Sequence, residues 1–120
     1  MATDDDDQPG LVIHLSSGAE DDWRTALRYA ANFTAAAGGG RRVDVVVNGP
    51  ALSLVLADSI LHGQVSELYA LGAVEFSACA NTMAAQGVES TELHPAARVV
   101  AAAVVHLAQR QWAGWAYLRP

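Results

Sequence analysis

Two short and almost wholly apolar runs, Leu11-Val12-Ile13-His14-Leu15 and the stretch from Val43 to Val47, constrain the fold of this chain more than any other feature. A strand with one wet face alternates apolar and polar residues. A run without that alternation suits a strand covered on both faces. Only Asp44 interrupts the second run. Between the two, Ser17 and Glu20 have the spacing of a capping box, and Asp21 and Asp22 suit a first helical turn. Trp23, Ala26, Leu27, Ala30, Phe33 and Ala37 then recur on one helical face until Gly38-Gly39-Gly40 stops it. Strand, long helix and strand in that order imply parallel pairing through a right-handed crossover.

The rest of the chain continues the alternation. Asn48-Gly49-Pro50 is a turn, with Pro50 opening a helix over about residues 51–57. Another short helix covers residues 62–71 and ends at Gly72. Ala73, Val74 and Phe76 lead a third strand into Cys79. Asn81 follows as the expected N-cap of a short helix through Met83 and Ala85, closed by Gly87. A short fourth strand is expected at 91–93. Pro95 then opens a last long helix over about 96–111, which Gly114 breaks before a final strand, Trp115-Ala116-Tyr117-Leu118. The expected domain is a three-layer α/β/α fold over residues 11–120, with a parallel sheet of about five strands. Residues 1–10 read as a disordered acidic tail.

Charge and composition narrow the function classes. The net charge is −6, of which Asp4 to Asp7 supply −4. All seven basic residues are arginine, a bias that either a GC-rich genome or a salt-adapted acidic proteome produces. Arg41-Arg42 is the only basic pair, so no stripe exists to follow a nucleic-acid backbone. Trp112, Trp115 and Tyr117 accordingly read as core or interface residues rather than base-stacking platforms. The longest wholly apolar run, residues 99–105, is far short of the roughly 20 needed to span a bilayer. Four aspartates after Met1-Ala2-Thr3 are the opposite of a signal peptide's basic start. A single cysteine forms no internal disulfide and fits a reducing, cytoplasmic compartment.

Cys79 is the residue most able to carry chemistry. It is expected at the carboxyl end of a strand, where open α/β sheets bind ligands, and beside a helix N-terminus, which favours the thiolate. The competing reading is a small buried hydrophobe. His14 would lie on the same edge, as a base or as a hydrogen-bonded core residue. His14, His62, His94 and His106 have no metal-ligand spacing and there is no Cys-x-x-Cys, so neither a metal nor a cofactor is expected. Ser16-Ser17-Gly18 is better explained as a helix cap than as an anion loop. Over residues 97–108 only Arg98 and His106 are polar. A helix that apolar all round needs a second cover, which points to a homo-oligomer.

The segments Val12-Ile13-His14-Leu15, Asn32, Val45-Val46-Val47-Asn48-Gly49-Pro50-Ala51, Gly72-Ala73-Val74-Glu75-Phe76-Ser77-Ala78-Cys79-Ala80-Asn81-Thr82-Met83 and Gly114-Trp115-Ala116-Tyr117-Leu118 together resemble the DsrE/DsrF-like (YchN-like) family. The likeness spans about residues 11–120 and is nearest to the small single-domain branch. Its most specific piece is Ala78-Cys79-x-Asn81-Thr82-Met83. The resemblance implies a five-stranded parallel sheet sandwiched by helices, and assembly as a trimer or hexamer. It also implies that Cys79 carries sulfur as a persulfide within a sulfur relay, receiving it from a donor protein and passing it to an acceptor. Asn81, Thr82, Asn48 and Gly49 would support that site, Asn81 by orienting the loop or bonding the outer sulfur. The alternative is a non-catalytic oligomeric assembly or small-molecule-binding module in which Cys79 is inert.

Overall fold

A computed structural model describes residues 8–37 and 40–120. Five parallel strands, β1 (Leu11–Leu15), β2 (Val43–Val47), β3 (Val74–Cys79), β4 (Ala97–Val100) and β5 (Ala116–Leu118), form one sheet in the order β4-β3-β2-β1-β5. The helices are α1 (Glu20–Ala37), α2 (His62–Ala70), α3 (Ala80–Gln86) and α4 (Ala103–Trp112). The three-layer α/β fold with its parallel sheet is therefore as the apolar runs require.

The sheet's two faces follow from the alternation of side chains along each strand. Ile13, Leu15, Val43, Val45, Val47, Val74, Phe76 and Ala78 join one apolar cluster with Trp23, Ala26, Leu27 and Ala30 of α1 and Val65 and Leu68 of α2. The face of α1 read from the sequence is thus the buried one, while Ala37 at its end is exposed. Val12, Val46 and Cys79 point the other way, onto Ala103 and Leu107 of α4 and onto Trp115.

Several local expectations are corrected. Ser17 makes no capping box with Glu20. Its hydroxyl accepts from the Ala19 N–H at 3.0 Å, while Glu20 pairs with Arg24 one turn on. The segment after Pro50 winds as a tighter 3-10 helix, Gly49–Val55. The stretch expected as a fourth strand at 91–93 lies in and just after a 3-10 turn, Ser90–Glu92. Leu93 makes only an isolated antiparallel bridge to Leu56, outside the sheet. The fourth strand is Ala97–Val100, which the sequence reading assigned to the last helix. β-branched Val99 and Val100 favour the extended form, and pairing with β3 decides it. That helix begins only at Ala103, so the run 97–108 is part strand and part helix rather than one apolar cylinder.

The aspartates of the expected tail and the glycine stop at 38 and 39 lie outside the described residues. Residues 9 and 10 pack onto the domain: Gly10 is buried and its carbonyl accepts from the Ala116 N–H at 2.9 Å. Among the described residues no helix is long and apolar enough to cross a membrane.

Candidate functional site around Cys79

β3 ends at Cys79, and the chain turns directly into α3, so Cys79 itself occupies the N-cap position. Asn81, expected as that cap, instead lies in the first turn. The helix closes at Gly87, whose φ of 69° is the left-handed conformation that glycine adopts without a Cβ clash. The parallel register brings Leu15, Val47 and Ala78 side by side, so Asn48 and Cys79 both follow at the carboxyl edge.

Cys79 is 5 % exposed, and its sulfur receives several donors. The Ala103 N–H, the first of α4, reaches Sγ at 3.4 Å. The first amides of a helix have no partner within it, so this contact uses a donor that would otherwise be idle. Burial pushes the thiol's pKa up. The N–H groups of Thr82, Ala103 and Asn81 and the Thr82 hydroxyl more than offset this, and hold it below the ordinary thiol value.

Thr82 is oriented from the other side. Its Oγ1 accepts the Gly49 N–H at 3.0 Å, which leaves its proton for the sulfur. Gly49 presents that N–H with a φ of 57°, and its carbonyl accepts from the Gln86 side chain at 3.0 Å. Two bonds therefore clip the turn after β2 to α3. Among the sequence-selected residues, Cys79, Asn81, Thr82 and Gly49 meet in one place.

His14 and Asn48 form a second group. His14 Nε2 lies 3.0 Å from Asn48 Oδ1, and Nδ1 lies 2.7 Å from the Tyr117 hydroxyl. Both ring nitrogens are thus occupied. Burial lowers the pKa of His14, the bond to Asn48 opposes that, and the Arg119 charge adds to it; the net direction is downward. β1 and β3 are separated by β2, so His14 stands two strands away from Cys79. A crevice of about 410 Å³ opens beside it, lined by His14, Ser16, Ser17, Asp22 and Arg119.

The sequence reading missed the charged network beneath α4. Asp44 is fully buried, and its carboxylate accepts the Ser77 hydroxyl at 2.7 Å, His106 Nε2 at 2.7 Å and Arg110 Nε at 2.9 Å. Glu75 beside it meets Arg98 at 2.8 Å and Arg42 at 3.2 Å. Burial raises the Asp44 pKa, but His106, Ser77 and Arg110 together hold it below the usual carboxylate value. The only sequence signal was a lone charge inside the apolar run Val43–Val47.

No family model matches the chain, and no curated protein matches it. Solved structures do. The protein of unknown function MTH1491 from Methanobacterium thermoautotrophicum is 32% identical, with a TM-score of 0.88 over 94% of this chain and 100% of that one. The conserved protein of unknown function BT1422 from Bacteroides thetaiotaomicron is 21% identical, with a TM-score of 0.70 over 92% and 94%. The ychN protein from E. coli is 16% identical, with a TM-score of 0.75 over 94% and 100%. The last two share the fold alone. With a YchN-like fold and close to a third of its residues in common over nearly the whole length, the chain belongs to the same family as MTH1491.

Proposed function

We propose that this protein is a sulfur carrier of the DsrE/DsrF-like kind, with Cys79 as the carrying residue. The observation that supports the reading best is the set of donors converging on the sulfur: the N–H groups of Asn81, Thr82 and Ala103 and the Thr82 hydroxyl. These stabilise a thiolate, the nucleophilic form. The thiolate attacks the outer sulfur of a donor persulfide, R–S–SH. A new S–S bond forms to Cys79, the donor's S–S bond breaks, and R–S⁻ leaves with the electron pair. The product is Cys79–S–SH, and no net oxidation occurs. A second thiolate then takes the outer sulfur and restores Cys79. The chain has one cysteine, so that acceptor is another molecule or another subunit. Asn81 is assigned the role of bonding the outer sulfur, a reading supported by its place in the first turn of α3 and by its backbone N–H on the Cys79 sulfur. Exchange of this kind belongs in a reducing, cytoplasmic compartment.

The test is intact mass spectrometry after incubation with a persulfide donor. Wild type gains one sulfur and Cys79→Ser gains none. A folded wild type that stays unmodified overturns the reading.

We further propose assembly as a closed homo-oligomer, a trimer or hexamer. Val104, Val105 and Trp112 on the outer side of α4 are 71%, 51% and 81% exposed, and Val99 on the edge strand is 45% exposed. An apolar surface of this kind favours a second copy. Light scattering that gives monomers at micromolar concentration would rule it out. A second reading, an inert cysteine within a binding or assembly module, draws on the burial of Cys79. Native alkylation at neutral pH separates the two, since only a carrier's thiol reacts without denaturant.

A further inference from the structure

Asp44 has no part in the site as described, yet among the described residues it is the one carboxylate with no exposure at all. Its two helix-borne partners, His106 and Arg110, follow Ala103 by three and seven residues, which places all three on one face of α4. That face lies against the sheet, where Ala103 and Leu107 are buried. The same helix therefore touches Cys79 through its first amide and Asp44 through its second and third turns.

Stability alone does not account for a carboxylate here. A buried ion pair is often no better for stability than apolar residues of the same volume. Leucines at these positions would also hold a helix onto a sheet, because apolar contact is non-directional. They would not fix how far along its axis the helix sits, or at what rotation. Short charge-assisted bonds on successive turns fix both. The N–H···S contact at Ala103 depends on that placement, since hydrogen bonds weaken steeply off line.

We propose that Asp44 is a positioning residue for Cys79: by gripping His106 and Arg110 it sets the register of α4, so that the Ala103 N–H stays on the sulfur. The inference rests on Cys79 being a stabilised thiolate, as read above, and adds what holds it in that state.

The test measures the rate of Cys79 alkylation by iodoacetamide against pH in the native protein. It compares wild type, Asp44→Asn, and Asp44→Asn with Arg110→Gln, each checked for its native fold by circular dichroism. Field and position act with opposite signs. Asp44 and Cys79 are roughly 14 Å apart by strand rise and spacing, so removing the negative charge alone would favour the thiolate and speed alkylation. Loss of position moves the thiol's titration up, and slows alkylation at pH 7 by about three- to tenfold. In the double variant the charges cancel, and the slowing persists. Slower reaction with an upward-shifted profile supports the inference. An unchanged or faster reaction in the folded double variant, where the two lost charges offset one another, overturns it, even if the melting temperature falls. If Asp44→Asn alone does not fold, the charge-neutral double variant decides. A wild-type thiol that titrates at the ordinary value overturns both the inference and the thiolate reading. An acidic thiol that accepts no sulfur removes the carrier reading and leaves this comparison intact.

Discussion

On the side of the sheet that faces α1 and α2, Ile13, Val45, Val47 and Phe76 join one large apolar cluster, and all four are fully buried. On the side that faces α4, Val12 and Val46 share the surface with Asp44, Glu75, Ser77, His14 and Cys79. The first side is a volume to be filled, and its contacts carry no preferred direction. The second is a set of directional bonds that specifies where one ten-residue helix lies. Burial supplies most of the stability on one side, and orientation sets the donors around Cys79 on the other.

Emptying the apolar side should have the largest effect on stability. Phe76→Ala deletes a fully buried ring from a central strand and should cost about 3–5 kcal/mol, read from urea unfolding. Cys79 should keep its alkylation profile in whatever fraction stays folded. A loss under 1 kcal/mol would mean that this side is not the main source of stability.

On the α4 side, Asp44→Asn should cost about 2–3 kcal/mol at neutral pH, because the fully buried carboxylate's short bonds to His106 and Arg110 are lost and half-buried Arg110 keeps only its longer contact to Glu75 at 3.4 Å. The same residue shapes the acid limb of stability. Its folded pKa lies below the unfolded value, so its contribution is complete above the ordinary aspartate range of about 3.9 and is lost as pH falls through the folded value. His14 and His94 also have lowered pKa values, mainly from burial. Their contribution is complete above about pH 6.5 and begins to fall below it. Chemical unfolding across pH should therefore show two successive losses. Asp44→Asn should flatten the lower one and His94→Gln should reduce the upper one. A profile of Asp44→Asn that keeps the wild-type lower limb would contradict this assignment.

Thr82→Val removes the hydroxyl between Gly49 and the sulfur while nearly keeping the volume. Alkylation of Cys79 at pH 7 should slow by about threefold, with a loss of about 1 kcal/mol in unfolding free energy from the Gly49 N–H left without its acceptor, and Thr82→Ser should restore both. A rate unchanged by Thr82→Val would leave the backbone amides as the only source of thiolate stabilisation. Val104→Thr, at the outer surface of α4, should change stability by less than about 0.5 kcal/mol in a monomer. A larger loss that depends on protein concentration would mark this surface as covered by a second copy.

Much of this architecture is legible in the chain because it rests on local period and local chemistry. Runs such as Leu11–Leu15 lack alternation, α1 carries its apolar face at helical spacing, and Gly87 and Gly114 stop helices where expected. Cys79 at a strand end was legible for the same reason. The run 96–111 was not, because alanine and valine there fit either a buried helix or an edge strand. What settles it is a long-range partner: Ala97 to Val100 pair with Phe76 to Cys79, some twenty residues earlier. That pairing also moves the start of α4 to Ala103 and so brings an amide onto the sulfur.

The layered parallel sheet, the strand that delivers Cys79 and the single thiol follow from the order of residues along the chain. Folding in three dimensions was needed to bring the Ala103 amide to that thiol, His14 to Asn48 and Tyr117, and Asp44 to His106 and Arg110. The physical reason is range. Periodicity and capping act over a few residues, whereas these bonds join groups 24 to 103 positions apart and exist only once the sheet has fixed their distances.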